Sequence, residues 1–133
     1  MIFVDSNIPM YLIGAAHRHN AEAQVLLERL IAAGQRLVTD AEVLQEILHP
    51  YTSIDGRQAI RPALQVTLEI VDEVIPIGKA EVLRAGEIVE NPARISAGDA
   101  VHIAVMERYG IRSILSFDDD FDRWPGLERI HRI

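Results

Sequence analysis

At 133 residues, 49% of them hydrophobic, the chain is long enough to bury one continuous core, and residues 1–133 are expected to form a single domain. It has no cysteine, which excludes disulfide frameworks, thiolate nucleophiles and zinc–thiolate sites. A net charge of −7, with Lys79 the only lysine among 13 basic residues, argues against gripping nucleic acid by bulk attraction, so any such chemistry must be local and metal-assisted.

No apolar run approaches the ~18 to 20 residues of a membrane span. The start Met1-Ile2-Phe3-Val4 reaches an acid too early for a signal peptide, so a cytoplasmic protein without a membrane segment is expected. Ile2-Phe3-Val4 is apolar at every position, as a strand buried on both faces would be, and Asp5-Ser6-Asn7 with Pro9 opens a helix. Ala23, Leu26, Leu27, Leu30 and Ile31 recur at helical spacing up to Gly34, and a short strand Leu37-Val38 follows. Thr39 and Glu42 form a capping-box pattern opening a helix that carries Val43, Leu44, Ile47 and Leu48 on one side and Glu42, Gln45, Glu46 and His49 on the other. Pro50 is expected to end it.

After a turn-rich stretch over 51–56, Ile60, Leu64, Leu68 and Val71 mark a further helix. Val74-Ile75-Pro76-Ile77 follows, and its proline confines it to an edge strand. A helix over 79–89 stops before Asn91-Pro92. Ser96-Ala97-Gly98-Asp99 starts the most apolar helix, which Gly110 ends. Ser113-Ile114-Leu115 is a strand, Asp118-Asp119-Asp120 starts a short helical turn, and Trp124-Pro125-Gly126 turns the chain into a last strand over 129–133. This alternation predicts an α/β fold with a mostly parallel sheet of four to five strands between helical layers. Ligands of such sheets bind beyond the carboxyl ends of the strands, near the point where strand order reverses.

Asp5 and Asp118 each follow a predicted strand, and Asp99 and Glu46 sit in the opening turns of helices, so all four carboxylates can reach that edge. Acids packed so closely repel one another unless cations neutralise them. Oxygen donors without thiolate select Mg²⁺ or Mn²⁺, and two such ions ~4 Å apart can clamp a phosphodiester. Each acid also has a structural reading. Ser96 with Asp99 fits a helix cap, Asp118 to Asp120 fit cap and dipole partners, and Glu46 fits a solvated polar face. Asp5 is the strongest candidate, because a charge directly after a buried strand is costly unless paired or coordinated. His102, one turn from Asp99, reads as a satisfied buried histidine or as a ligand or proton relay. His17 and His49 read as surface groups. Arg57, Arg61 and Arg94 read as solvated residues near turns.

Four segments together resemble the PIN-domain nucleases, and among them the VapC-type toxins of toxin–antitoxin pairs. They are Val4-Asp5-Ser6-Asn7, Glu42-Val43-Leu44-Gln45-Glu46-Ile47, Gly98-Asp99-Ala100-Val101-His102-Ile103-Ala104 and Ser116-Phe117-Asp118-Asp119-Asp120-Phe121-Asp122, in an order that spans the chain. The resemblance implies a PIN-like three-layer α/β/α fold and an acidic quartet of Asp5, Glu46, Asp99 and Asp118 holding one or two Mg²⁺ or Mn²⁺ ions. The resemblance adds Asp120 as a fifth metal ligand. Ser6 or Asn7, and Ser116, would orient the acids by hydrogen bonding. The implied activity is endoribonuclease cleavage by a metal-activated water, leaving 5′-phosphate and 3′-hydroxyl ends. Implied partners are an RNA substrate, a small antitoxin whose basic side chain would enter the acidic pocket, and a second copy of the chain.

Three alternatives differ in specific residues. A haloacid-dehalogenase type needs Asp-x-Asp after the first strand, where this chain has Asn7. A phospho-acceptor receiver needs an Asp after a central strand and a late lysine, whereas Ile77-Gly78 follow the third strand and Lys79 is the only lysine. A catalytically inactive PIN-fold binding module would be expected to have lost at least one carboxylate of the quartet.

Overall fold

Apolar residues at successive positions of very short strands send their side chains to opposite faces of one sheet, so both faces must be covered. The computed structural model describes residues 1–13, 19–53 and 56–132. Its elements are β1 (Ile2–Val4), α1 (Asn7–Ile13), α2 (Asn20–Ala32), β2 (Leu37–Asp40), α3 (Ala41–Ser53), α4 (Ile60–Ile70), β3 (Glu73–Ile75), α5 (Lys79–Val89), α6 (Ala97–Tyr109), β4 (Ser113–Leu115) and β5 (Glu128–Ile130). Short 3₁₀ turns occupy Arg57–Ala59 and Asp119–Arg123. All strand pairs are parallel, in the order β3-β2-β1-β4-β5. The expected α/β fold with a parallel central sheet is what the chain adopts.

The alternation is visible in the packing. Phe3, Val38, Ile75 and Ile114 face a core shared with Val43 and Ile47 of α3 and with the apolar run of α6. Ile2, Val4, Leu37 and Leu115 face the other way, against Ile8 of α1 and Ala23, Leu26 and Leu27 of α2. α6 is buried at Asp99, Ala100 and His102 through Met106, as its sequence implied, and Gly110 ends it at φ 67°, a left-handed conformation that glycine adopts without penalty. The expected edge strand is β3, at Glu73–Ile75, one residue earlier than expected and ending before Pro76.

Four further local expectations are corrected. Pro50 lies inside α3, which continues to Ser53; the missing N–H costs one intrahelical bond, while Tyr51 beyond it still packs against the core. The cap of α3 is Asp40, whose Oδ1 accepts from the Val43 N–H at 3.0 Å, and not Thr39 with Glu42. Thr39 belongs to β2, two residues longer than expected, and its hydroxyl donates to the Val4 carbonyl at 2.8 Å. The last strand is shorter than expected, at Glu128–Ile130. His17 and residues 54 and 55 of the expected turn lie outside the described residues.

The crossovers leave β1 toward β2 and β3, and the chain then returns to the opposite side for β4 and β5. β1 and β4 therefore flank the reversal of strand order, paired from Ile2↔Ser113 to Val4↔Leu115. A ligand crevice is expected beyond their carboxyl ends.

Ile114 of β4 is fully buried, so Ile114→Ala is expected to cost ~2–5 kcal/mol in urea unfolding. Val82→Ala, at a side chain 53% exposed on α5, is expected to change stability by less than ~0.5 kcal/mol.

Candidate metal centre

Asp5 follows β1 directly and is only 3% exposed. Its Oδ1 accepts from the Ser6 backbone N–H at 2.8 Å. Its Oδ2 accepts from the Ser116 hydroxyl at 2.6 Å and from Asn7 Nδ2 at 3.3 Å. Asn7 Nδ2 also donates to Ser116 Oγ at 3.1 Å, and the Asp118 N–H donates to the same oxygen at 3.0 Å. The ends of β1 and β4 are thus tied together through one carboxylate. Asn7 and Ser116 act here through their side chains and Ser6 through its backbone. A carboxylate oxygen has two lone pairs, so Oδ1 keeps one for a further partner.

Asp99 enters from the first turn of α6, where its N–H donates to Ser96 Oγ at 3.4 Å. The helix cap that Ser96 and Asp99 were expected to form is present on the Asp99 backbone N–H, and Ser96 also bonds the Asp99 carboxyl. Asp118 likewise caps the following 3₁₀ turn, accepting from the Asp120 N–H at 3.0 Å. Asp99, Asp118 and Asp120 each offer a donor atom within 4.8 Å of the others. Asp120 also pairs with Arg123 at 3.0 Å. Arg129 holds the turn in place by gripping both oxygens of Asp122, each at 2.9 Å, and the Ser116 carbonyl at 3.3 Å.

A second donor group joins Asp5, Glu46 and His102, again within 4.8 Å. Glu46, in the second turn of α3, is bonded through Oε1 to His102 Nε2, and its Oε2 lies 3.5 Å from where a Cβ on Gly98 would stand. The other ring nitrogen of His102 lies 2.8 Å from Asp40 Oδ2. Asp40 and His102 are both fully buried. Asp40 is the residue the sequence reading missed. Like Asp5 it is a charge at the end of a buried strand, because β2 runs through Thr39 to Asp40.

The electrostatics follow from this crowding. Burial raises the Asp5 carboxyl above its usual range, His102 and the Ser116 hydroxyl oppose the rise, and Glu46 adds to it. Asp99 is pushed up to about 7, first by burial and then by repulsion from Asp5, with His102 opposing and Asp118 adding. Burial works against a charged His102, but its bonds to Asp40 and Glu46 carry it well above an ordinary histidine. Glu42, on the same face of α3, is raised by partial burial and by Glu46. Oxygen donors with one imidazole and no thiolate suit a hard divalent cation, which would relieve this repulsion.

Because the folded Asp99 holds its proton more tightly than the unfolded chain, its contribution to stability is complete below pH ~3.8 and is lost as pH rises through ~7. In metal-free buffer Asp99→Asn is expected to melt above the parent at pH 8, by up to ~4 kcal/mol of added stability, and to lose that advantage at pH 4, as read by thermal melts at both pH values.

Residues 2–127 match the family model described as PIN domain. The chain is 52% identical over 130 residues to a VapC ribonuclease of Mycobacterium bovis and to ribonuclease VapC13 of Mycobacterium tuberculosis, covering 98% of this chain and 99% of each relative. Among solved structures, VapC20 of Mycobacterium tuberculosis, described as a sarcin-ricin loop cleaving toxin, superposes with a TM-score of 0.75 at 28% identity, covering 92% of this chain and 93% of that one. VapBC2 of Rickettsia felis, solved on a DNA fragment from its promoter, shares the fold with a TM-score of 0.75 at 19% identity, covering 98% of both chains. The strand order, the acids at its reversal point and these likenesses agree: the chain belongs to the PIN-domain family, in its VapC-type branch.

Proposed function

We propose that this chain is a Mg²⁺- or Mn²⁺-dependent endoribonuclease, one nuclease domain that acts in the cytoplasm as the toxin of a type II toxin–antitoxin pair. The observation that carries the reading is Asp5, a carboxylate buried at the reversal point of the sheet, with a Glu46 donor atom within 4.8 Å and with Asp99, itself grouped with Asp118, close enough to feel its charge. Asp5, Asp99, Asp118 and Glu46 are the proposed catalytic acids and metal ligands, and Asp120 is the proposed fifth ligand. A divalent cation bound there would supply Lewis-acid activation of water and neutralise charge developing on the phosphodiester.

The protein's own contribution is position. Ser116, Asn7 and the Ser6 N–H fix the Asp5 carboxylate, and the Asp118 N–H on Ser116 ties the last acid to the first. Partial positive charge at the starts of α3 and α6 favours anions at this edge. The RNA substrate would be held by local contacts, since the chain's net charge of −7 repels a phosphate backbone at long range. The same acidity favours an antitoxin that inserts a basic side chain among the carboxylates. A homodimer is proposed on the VapC-type likeness. Among the described residues no helix is long and apolar enough to cross a membrane.

The test is cleavage of single-stranded and structured RNA by the purified chain, with mapping of the product ends. Cutting is expected only with Mg²⁺ or Mn²⁺, leaving 5′-phosphates, and Asp5→Asn is expected to reduce the rate at least ~100-fold with circular dichroism unchanged. A folded chain that cuts no RNA with either ion would leave an inactive binding module instead. Mn²⁺ is also expected to raise the melting temperature more at pH 8 than at pH 5, because Asp5 and Asp99 must lose their protons to bind it.

A further inference from the structure

Glu46 differs from the other proposed ligands in being a long side chain on a helix, still 27% exposed. Asp5, Asp99 and Asp118 have short side chains and lie beside hydrogen-bonded backbone at a strand end or helix start. A glutamate so placed has rotamers that point into solvent, and ordering one of them costs entropy. What holds it is His102, which bonds Oε1 through Nε2. His102 is in turn fixed by Asp40, itself anchored on Val43, and by the Phe3 ring. Nδ1 lies 2.8 Å from Asp40 Oδ2, the Asp40 Oδ1 is engaged by the Val43 N–H at 3.0 Å, and the ring packs 5.1 Å from the Phe3 ring. None of the three side chains Phe3, Asp40 and His102 is exposed.

Resting on the function proposed above, we propose that Asp40 and His102 are positioning residues for Glu46, a buried chain that occupies its Oε1 and so presents Oε2, beside Gly98, to the divalent ion. His102 acts through Glu46 and does not itself ligate. Both of its nitrogens already have carboxylate partners, and binding an ion through Nε2 would break the bond to Glu46. Partners of this kind commonly set metal affinity as strongly as the ligands' own orientation does.

Two substitutions separate the two ends of the imidazole. His102→Asn places an amide near Nδ1, so Asp40 keeps a partner while Glu46 is out of reach; His102→Gln places its amide N–H₂ near Nε2 and can still hold Glu46. Mn²⁺ titrated calorimetrically into the folded, full chain is expected to bind ~10–100-fold more weakly to His102→Asn, with His102→Gln recovering most of the loss. Saturating Mn²⁺ is expected to restore kcat of His102→Asn on RNA with KM for RNA unchanged. Unaltered Mn²⁺ affinity in His102→Asn overturns the proposal. So does a His102→Gln variant as weak as His102→Asn, which would make the imidazole itself a ligand. A measurement independent of how these variants fold is the ring N–H proton of His102 in metal-free wild type. A slowly exchanging downfield signal on Nε2 that vanishes in Glu46→Ala is expected, and its persistence there overturns the assignment. Asp99→Asn is the control for the reading beneath. If the wild-type chain binds no Mn²⁺, or binds it equally well in Asp99→Asn, the metal centre itself fails; loss in Asp99→Asn alone leaves the centre standing and removes only the role of His102.

Discussion

Burial of one carboxylate at the end of a central strand is the constraint on which the carboxyl edge of this molecule depends. Taking Asp5 almost wholly out of water is unfavourable unless donors replace the lost solvent. The chain answers with a backbone N–H from Ser6, an amide from Asn7 and a hydroxyl from Ser116, more than a hundred residues away. Because Ser116 also receives the Asp118 N–H, satisfying Asp5 fixes where the next acid stands. Folding and the arrangement of the proposed ligands are thus one problem with one solution.

Parallel strands make the rest of the crowding unavoidable. The helices α3 and α6 and the turn at Asp119–Arg123 all begin at the edge where the strands end, and each needs a cap. Asp40, Ser96 and Asp118 provide those caps. Capping and site chemistry are therefore not competing explanations for the acids here. Capping orients the backbone that carries Asp99 and Asp118, and the partial positive charge of the helix starts reduces the cost of gathering anions nearby.

Charge is treated differently elsewhere on the surface. Arg129 neutralises Asp122, Arg84 pairs with Glu107 and Glu87, Arg36 pairs with Glu73, and Arg108 reaches Glu81. Among the described residues no lysine or arginine forms an ion pair with Asp5, Asp99 or Asp118; Arg123 reaches only the outer member, Asp120, and His102 is itself committed to Asp40 and Glu46. The negative charge is thus concentrated where the fold offers a crevice, an arrangement suited to a cation or to a basic side chain supplied by a partner.

The sequence by itself determined whatever depends on neighbours along the chain. Successive apolar residues marked β1 and β4 as buried strands, Pro76 stands just past the end of β3, Ser96 and Gly110 bounded α6, and an acid after β1 marked the candidate site. Pro50 misled, since a proline removes only one bond and packing beyond it carried the helix on. Thr39 misled because a capping pattern and a strand end look alike until the partner strand is known. Only the tertiary structure decided that Asp40, Glu46 and His102 meet. Their bonds span 62 and 56 residues, and no local periodicity encodes such a contact. It arises because a parallel sheet brings the end of β2 and the opening turns of α3 and α6 to one edge, where buried polar groups must find partners among whatever side chains the crossovers deliver.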